Sequence, residues 1–254
     1  MTTAVDLLPR PHVAAAPVSA PDAAPDAFHA EQCRVLGHLV EGLAAQGRKL
    51  IAISSAVGGD GKTTVSLGLA RALAGRPDAR VLLVDADLRR GRLAQQLGIA
   101  DAAGAGLAGV AASRKAPLDA VVQCPPPSNL WLLPAGASEA APYELLRSPA
   151  VGALLAAARE SYDCVLVDTP PVVPVADVRA LSQWVDGVIL VVTAHRTPRE
   201  LVFEALSAME PEKLVGLVFN GDDQPLTRRY RAYYGYGEQA AGTGWRGALR
   251  WLLR

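Results

Sequence analysis

The chain has 254 residues, half of them hydrophobic, with 25 Lys+Arg against 25 Asp+Glu. That length suits one principal domain with a full core, and the balanced charge gives no reason to expect a nucleic-acid partner. No apolar run approaches the roughly 20 residues needed to cross a bilayer, and the opening MTTAVDLLPR lacks the basic start and apolar core of a secretory signal.

Residues 1–27 are rich in Ala and Pro and hold little that builds a core, so they read as a flexible arm. From about Ala30 to Gln46 the spacing predicts a helix with Cys33, Leu36, Leu39 and Leu43 on its apolar face and Gly37 weakening it. LIAISSA (50–56) predicts a buried strand, and SLGLARALA (66–74) a helix after the glycine loop. VLLVDAD (81–87) is the next strand, followed by a short polar helix near 91–97. Residues 100–129 are Ala- and Gly-rich, with CPPPSN as a break.

NLWLLPAG (129–136) predicts a strand, Ser148–Glu160 a helix, and YDCVLVD (162–168) a strand that must end at TPP. A helix over 175–184, a Val-rich strand over 187–194, a helix opened by Pro198 and a strand over 214–220 complete the body. Strand-like runs alternating with helices imply a three-layer α/β fold with a mainly parallel central sheet. The domain spans 28–221, and residues 222–254 form a separate basic tail. Cys33, Cys124 and Cys164 are too scattered for a zinc set and read as free thiols. The histidines are scattered too.

Gly58-Gly59-Asp60-Gly61-Lys62-Thr63-Thr64 lies between the first strand and a helix, which is the order a phosphate loop requires. Glycines let the backbone close around phosphate oxygens, and the helix N-terminus receives them. Lys62 places a cation near the terminal phosphates of ATP, and the Thr63 hydroxyl suits a Mg²⁺ shell. A structural glycine turn is the bland alternative. Asp85 and Asp87, spaced i,i+2 at a strand end, are expected on one side of an extended segment. There a carboxylate pair can organise metal or water and accept a proton. Asp168 ends another strand and is the best candidate for a water-mediated magnesium aspartate. Arg89 and Arg90 can pair with carboxylates, touch phosphate or serve an interface. Asn220, at the ligand-facing edge of the sheet, can read adenine or cap a helix.

Counted from Ala56, AVGGDGKT fills the eight positions of a phosphate loop with Ala for the first Gly. That variant resembles the MinD/ParA-like branch of P-loop NTPases, although Val57 stands where many members carry lysine. Taken with VLLVDADLRRGRL, LWLLPAG, YELLRSPAVGALL, YDCVLVDTPPVVPVADV and GVILVVTAHRT, the chain resembles the bacterial tyrosine kinases, which are polysaccharide-associated autokinases on a MinD-like fold. The resemblance covers about residues 29–220 and the tail.

By that resemblance Lys62 and Thr63 belong to the Walker A loop, Asp85 and Asp87 to a second, family-specific aspartate motif, and Asp168 to Walker B. Thr63, Asp85 and Asp168 would order the metal, and Asp87 would orient or deprotonate the incoming tyrosine. Tyr230, Tyr233, Tyr234 and Tyr236, in RRYRAYYGYG, would be the phosphoacceptors; a membrane or protein contact is the alternative for this cluster. The resemblance further implies a cytoplasmic protein at the inner membrane, a separate membrane co-polymerase as activator, a homo-oligomeric ring and a cognate phosphatase. The family's ExxRxxR ring motif is incomplete: Glu31 and Arg34 are followed by Gly37. The function implied is an ATP-dependent tyrosine autokinase in exopolysaccharide or capsule production. A MinD/ParA-like regulatory ATPase and a non-catalytic ATP-binding scaffold are the alternatives.

Overall fold

The computed structural model describes residues 27–99, 106–113, 121–124 and 128–221. The N-terminal arm and the tail with Tyr230, Tyr233, Tyr234 and Tyr236 lie outside them.

In chain order the elements are α1 (Ala27–Ala45), β1 (Leu50–Ser55), α2 (Lys62–Ala74), β2 (Val81–Asp85), α3 (Leu93–Gln96), α4 (Gly106–Ser113), β3 (Val122–Gln123) and β4 (Leu130–Leu133). Then come α5 (Pro142–Leu146), α6 (Pro149–Ser161), β5 (Cys164–Asp168), α7 (Asp177–Ser182), β6 (Gly187–Thr193), α8 (Arg199–Ser207) and β7 (Leu214–Asn220). The strands form one seven-stranded sheet in the order β3-β4-β2-β5-β1-β6-β7. Every pairing is parallel except the two-residue β3, which runs antiparallel to β4.

All residues of β1, β2 and β5 are buried, because helices cover both faces of the sheet. Alternation divides their side chains. Ile51, Ile53, Leu83 and Leu166 face a cluster built on Val65, Leu69 and Leu73 of α2. Ala52, Leu82, Val84, Val165 and Val167 face Leu107, Leu146, Val151 and Leu154 on the other side. Each fully buried Leu or Ile contributes about 1.5–3 kcal/mol. The sequence runs this apolar because each strand feeds two interfaces, a pattern that calls for parallel strands joined by helical crossovers.

All six expected strands are present. β3, α4 and α5 are additions, lying in or just after the Ala- and Gly-rich stretch, where neither periodicity nor length marks them. One face is also corrected. On α1, Cys33, Leu36 and Leu43 pack inward as expected, together with Gly37 and Val40, whereas Leu39 is 63% exposed. Gly37 lies against Leu73 and Ala72 of α2, so it serves close helix packing. An arginine at that position would have to enter this interface. Among the described residues no helix is long and apolar enough to cross a membrane.

Candidate active site

β1 sits between β5 and β6, so the loop that leaves its C-terminal end has strand ends on both sides. Gly59 (φ 93°) and Gly61 (φ 84°) take the left-handed conformation that glycine adopts without a Cβ clash. Gly61 caps α2 and offers no side-chain acceptor to the helix amides. Those amides, at the positive end of a 13-residue helix, are open to an anion. Lys62 and Thr63 open that helix; Thr64 lies in the same turn.

Three carboxylates converge on this point. Asp85 and Asp168 end adjacent strands and are direct partners in the β2–β5 register. Asp168 accepts hydrogen bonds from Thr63 Oγ1 at 2.8 Å and Ser66 Oγ at 3.0 Å. Burial pushes its carboxyl up to about 7, against the opposing pull of Lys62 and Thr63. Burial likewise raises Asp85 to about 6; its oxygens accept the backbone amides of Asp87 (3.3 Å) and Leu93 (3.1 Å). Asp87 pairs with Lys62 Nζ at 3.2 Å and accepts the Arg90 amide at 3.1 Å.

The i,i+2 reading of the aspartate pair changes here. β2 stops at Asp85, so Asp87 stands in the following turn and not on an extended segment. The Ala86 amide crosses to the Asp168 carbonyl at 2.8 Å, and the Asp85 side chain folds back on the next amide but one. The two carboxylates therefore have separate environments: Asp85 organises the turn and Asp87 meets the lysine.

Asp60 and Asn220 hold the loop from the other side. The Asp60 carboxylate is buried and accepts from Thr193 Oγ1 (3.2 Å), Thr197 Oγ1 (2.5 Å) and the Val57 amide (3.2 Å). Asn220 Nδ2 donates to the Asp60 carbonyl at 3.0 Å. The Asn220 amide thus props the loop, and no helix follows it within the described residues. Gly58 has open space around it.

Arg89 resolves to a carboxylate partner: it grips Asp177, at the start of α7, through two bonds of 2.8 and 3.2 Å. Arg34 pairs with Glu31 on the exposed face of α1. Cys33, Cys124 and Cys164 are free and buried, and burial raises the latter two thiols to about 12.

Sequence reading did not single out Ser66, Asp177, Thr193 or Thr197. Ser66 carried a faint signal, three residues after Thr63 on the same face of α2. The others become partners only through the fold.

The residues fit a magnesium nucleotide. Among the described residues no group of three or more His, Cys, Asp or Glu forms a ready metal cage. Mg²⁺ does not need one, because it takes few protein oxygens and completes its shell with phosphates and water. Thr63 and Asp168 present hard oxygens side by side at the helix N-terminus that would receive the phosphates.

Residues 48–200 match the AAA domain family. The chain is 32% identical over 214 residues to the tyrosine-protein kinase YwqD of Bacillus subtilis, covering 83% of this chain and 88% of YwqD. It is 34% identical over 199 residues to the succinoglycan biosynthesis transport protein ExoP of Rhizobium meliloti, covering 76% of this chain but 25% of ExoP. The VpsO kinase domain superposes with a TM-score of 0.66 at 32% identity, over 76% of this chain and 96% of that one. The cell-division ATPase MinD of Pyrococcus furiosus, at 23% identity and a TM-score of 0.57 over 70% of this chain and 74% of its own, shares the fold. With the phosphate loop and its aspartates in place on this sheet, the chain belongs to the bacterial tyrosine-kinase family, built on the MinD-like P-loop fold.

Proposed function

We propose that this protein is an ATP-dependent tyrosine autokinase acting in exopolysaccharide or capsule production. The observation that carries the reading is the meeting of Lys62, Thr63, Asp87 and Asp168, from a helix N-terminus, the turn after β2 and the end of β5, at the mouth of the phosphate loop. Backbone amides of Gly58–Thr64 cradle the phosphates. The Lys62 ammonium, poised 3.2 Å from Asp87, offsets charge developing on the transferred phosphoryl group. Thr63 and Asp168 would hold Mg²⁺, and a bound Mg²⁺ would neutralise phosphate charge. Asp85, like Asp168, has both oxygens engaged and would help order the metal's surroundings through the turn it holds.

Asp87 orients the tyrosine hydroxyl and takes its proton. A phenol ionises near pH 10, so the proton moves as the phosphoryl group arrives and not before. The acceptors are Tyr230, Tyr233, Tyr234 and Tyr236 of a neighbouring copy. Several phosphates, each adding about −1.5 to −2 charge, would reverse the basic balance of that segment. The activator is a separate inner-membrane co-polymerase, which would hold the cytoplasmic protein at the membrane; a phosphatase resets it.

The test combines the full chain, its membrane activator, Mg²⁺ and ATP. Intact-mass analysis should show added phosphate, and peptide mapping should place it within residues 230–236. Replacing those four tyrosines with Phe should preserve ATP binding and remove most of the phosphate. Hydrolysis of ATP with no phosphotyrosine would make the protein a regulatory ATPase. Binding with neither reaction would make it a scaffold.

A further inference from the structure

Asp60 is a buried acid that the proposed chemistry does not use. Its residue is 3% exposed, and its carboxylate is satisfied by two hydroxyls and an amide, all neutral donors. Keeping a carboxylate dry is costly unless such bonds stabilise it, and here they all lead to the same place. Thr193 ends β6 and Thr197 precedes α8, and the Thr193 amide also donates to Thr197 Oγ1 at 3.2 Å. The turn between them contains His195 at φ 58°, a left-handed conformation that costs a non-glycine residue on the order of 1–2 kcal/mol.

A second arm closes the circuit. Asn220 stands opposite Thr193 in the β6–β7 register, and its carbonyl accepts the Ala194 amide at 2.8 Å. Its side chain reaches back to the Asp60 carbonyl. A Cβ added to Gly61 would lie 2.0 Å from Asn220 Nδ2, so the amide is seated on the loop itself. The phosphate loop is held through two groups of Asp60, its carboxylate by the end of β6 and the turn after it, and its carbonyl by the end of β7.

We propose that Asp60, Thr193, Thr197 and Asn220 form a clasp that presets the phosphate loop for a nucleoside triphosphate, with the Asp60 side chain acting as a positioning group turned away from the phosphates. The inference rests on the nucleotide reading above and adds its control: loop occupancy and order in the 193–197 turn are linked. Linkage is reciprocal, so nucleotide must tighten the turn and loosening the turn must weaken nucleotide. Coupling between linked sites is typically worth about 5- to 150-fold in affinity, which sets the scale.

The test compares the full-length protein with Asp60→Ala, Asp60→Asn and the double variant Thr193→Val/Thr197→Val, which leaves the loop sequence intact. A non-hydrolysable ATP analogue with Mg²⁺ is the probe. Its dissociation constant is measured by calorimetry, and amide hydrogen exchange is followed at 193–197 and across β1 and β5. In the unaltered protein the analogue slows exchange at 193–197. In Asp60→Ala and in the threonine pair, Kd rises about 10- to 100-fold. The turn exchanges fast with or without the analogue, while β1 and β5 stay protected. Asp60→Asn, retaining one acceptor oxygen, falls between. Wild-type affinity in Asp60→Ala, or a turn that still responds to the analogue in the threonine pair, overturns the clasp. Loss of β1 and β5 protection in every variant overturns it in favour of a purely structural role. An unaltered protein that fails to bind the analogue removes the nucleotide reading and the clasp together, and this is seen before any variant is made.

Discussion

Thr63 Oγ1 donates to Asp168 Oδ2 at 2.8 Å, joining the first turn of α2 to the end of β5 across 105 residues of sequence. The same carboxylate holds Ser66 through its other oxygen, one turn further along the helix. Asp168 therefore fixes the start of α2 at the point where nucleotide chemistry is proposed.

Burial of Asp85 and Asp168 makes stability depend on pH. Their carboxyls rise from 3.8 to about 6 and about 7. A raised folded-state value means that the fold prefers the protonated form. The associated stability is complete below about pH 4 and is lost as pH climbs through 6 and 7. Asp85→Asn removes one titration and adds a pH-independent cost for the lost amide acceptor. The stability difference between variant and wild type should therefore drift in favour of the variant between pH 4 and 8, by on the order of 1–3 kcal/mol. Urea unfolding at several pH values reads that drift, and a flat difference contradicts it.

Lys62→Ala should weaken ATP binding and lower phosphoryl transfer by about 10²–10³-fold, the usual loss when a preorganised charge is removed. It also leaves Asp87 buried without its cation, so melting should be measured alongside. Lys62→Arg should restore folding better than activity, since a planar guanidinium does not reproduce a point charge. Full activity in either variant contradicts the assigned role.

Two glycines of the loop should respond unequally. Gly61→Ala meets both a φ of 84° and the Asn220 amide at 2.0 Å, and should cost about 1–3 kcal/mol. Gly58→Ala meets nothing within 4 Å in the free protein and should change stability by no more than about 0.5 kcal/mol. Thermal melting without nucleotide separates them; equal shifts would count against the packing described.

Arg89→Ala strands the Asp177 carboxylate, whose side chain is 1% exposed. Because the arginine itself is 45% exposed and water can partly replace it, the expected cost is about 1–3 kcal/mol. The matched change Arg89→Ala with Asp177→Asn should recover part of that loss. A double-mutant cycle with no coupling would show that the contact carries no energy.

The sequence by itself determined the strands and the nucleotide loop. Valine-, isoleucine- and leucine-rich runs ending at Ser55, Asp85 and Asp168 have one stable use, as strands covered on both faces, and the run ending at Asn220 forms the half-buried edge strand. Gly59 and Gly61 before Lys62-Thr63 mark a loop that turns sharply into a helix. These are local properties, with periods of two or 3.6 residues, and a chain segment carries them wherever it sits. The stretch 100–129 hid α4 because alanine and glycine carry no such period, and β3 because its two residues are too few to show one.

Only the tertiary structure decided which residues meet. Asp85 lies beside Asp168 because β2 and β5 are neighbours in the sheet order, although β3 and β4 intervene in sequence. Asp60 finds Thr193 and Thr197 from 133 and 137 residues away, and Arg89 finds Asp177 from 88. Strand order and register set those meetings by burying apolar faces together. The polar residues at the strand ends then bond whatever the packing has brought within reach. That is why the phosphate loop is legible in seven consecutive letters, while the residues that hold it in shape are not.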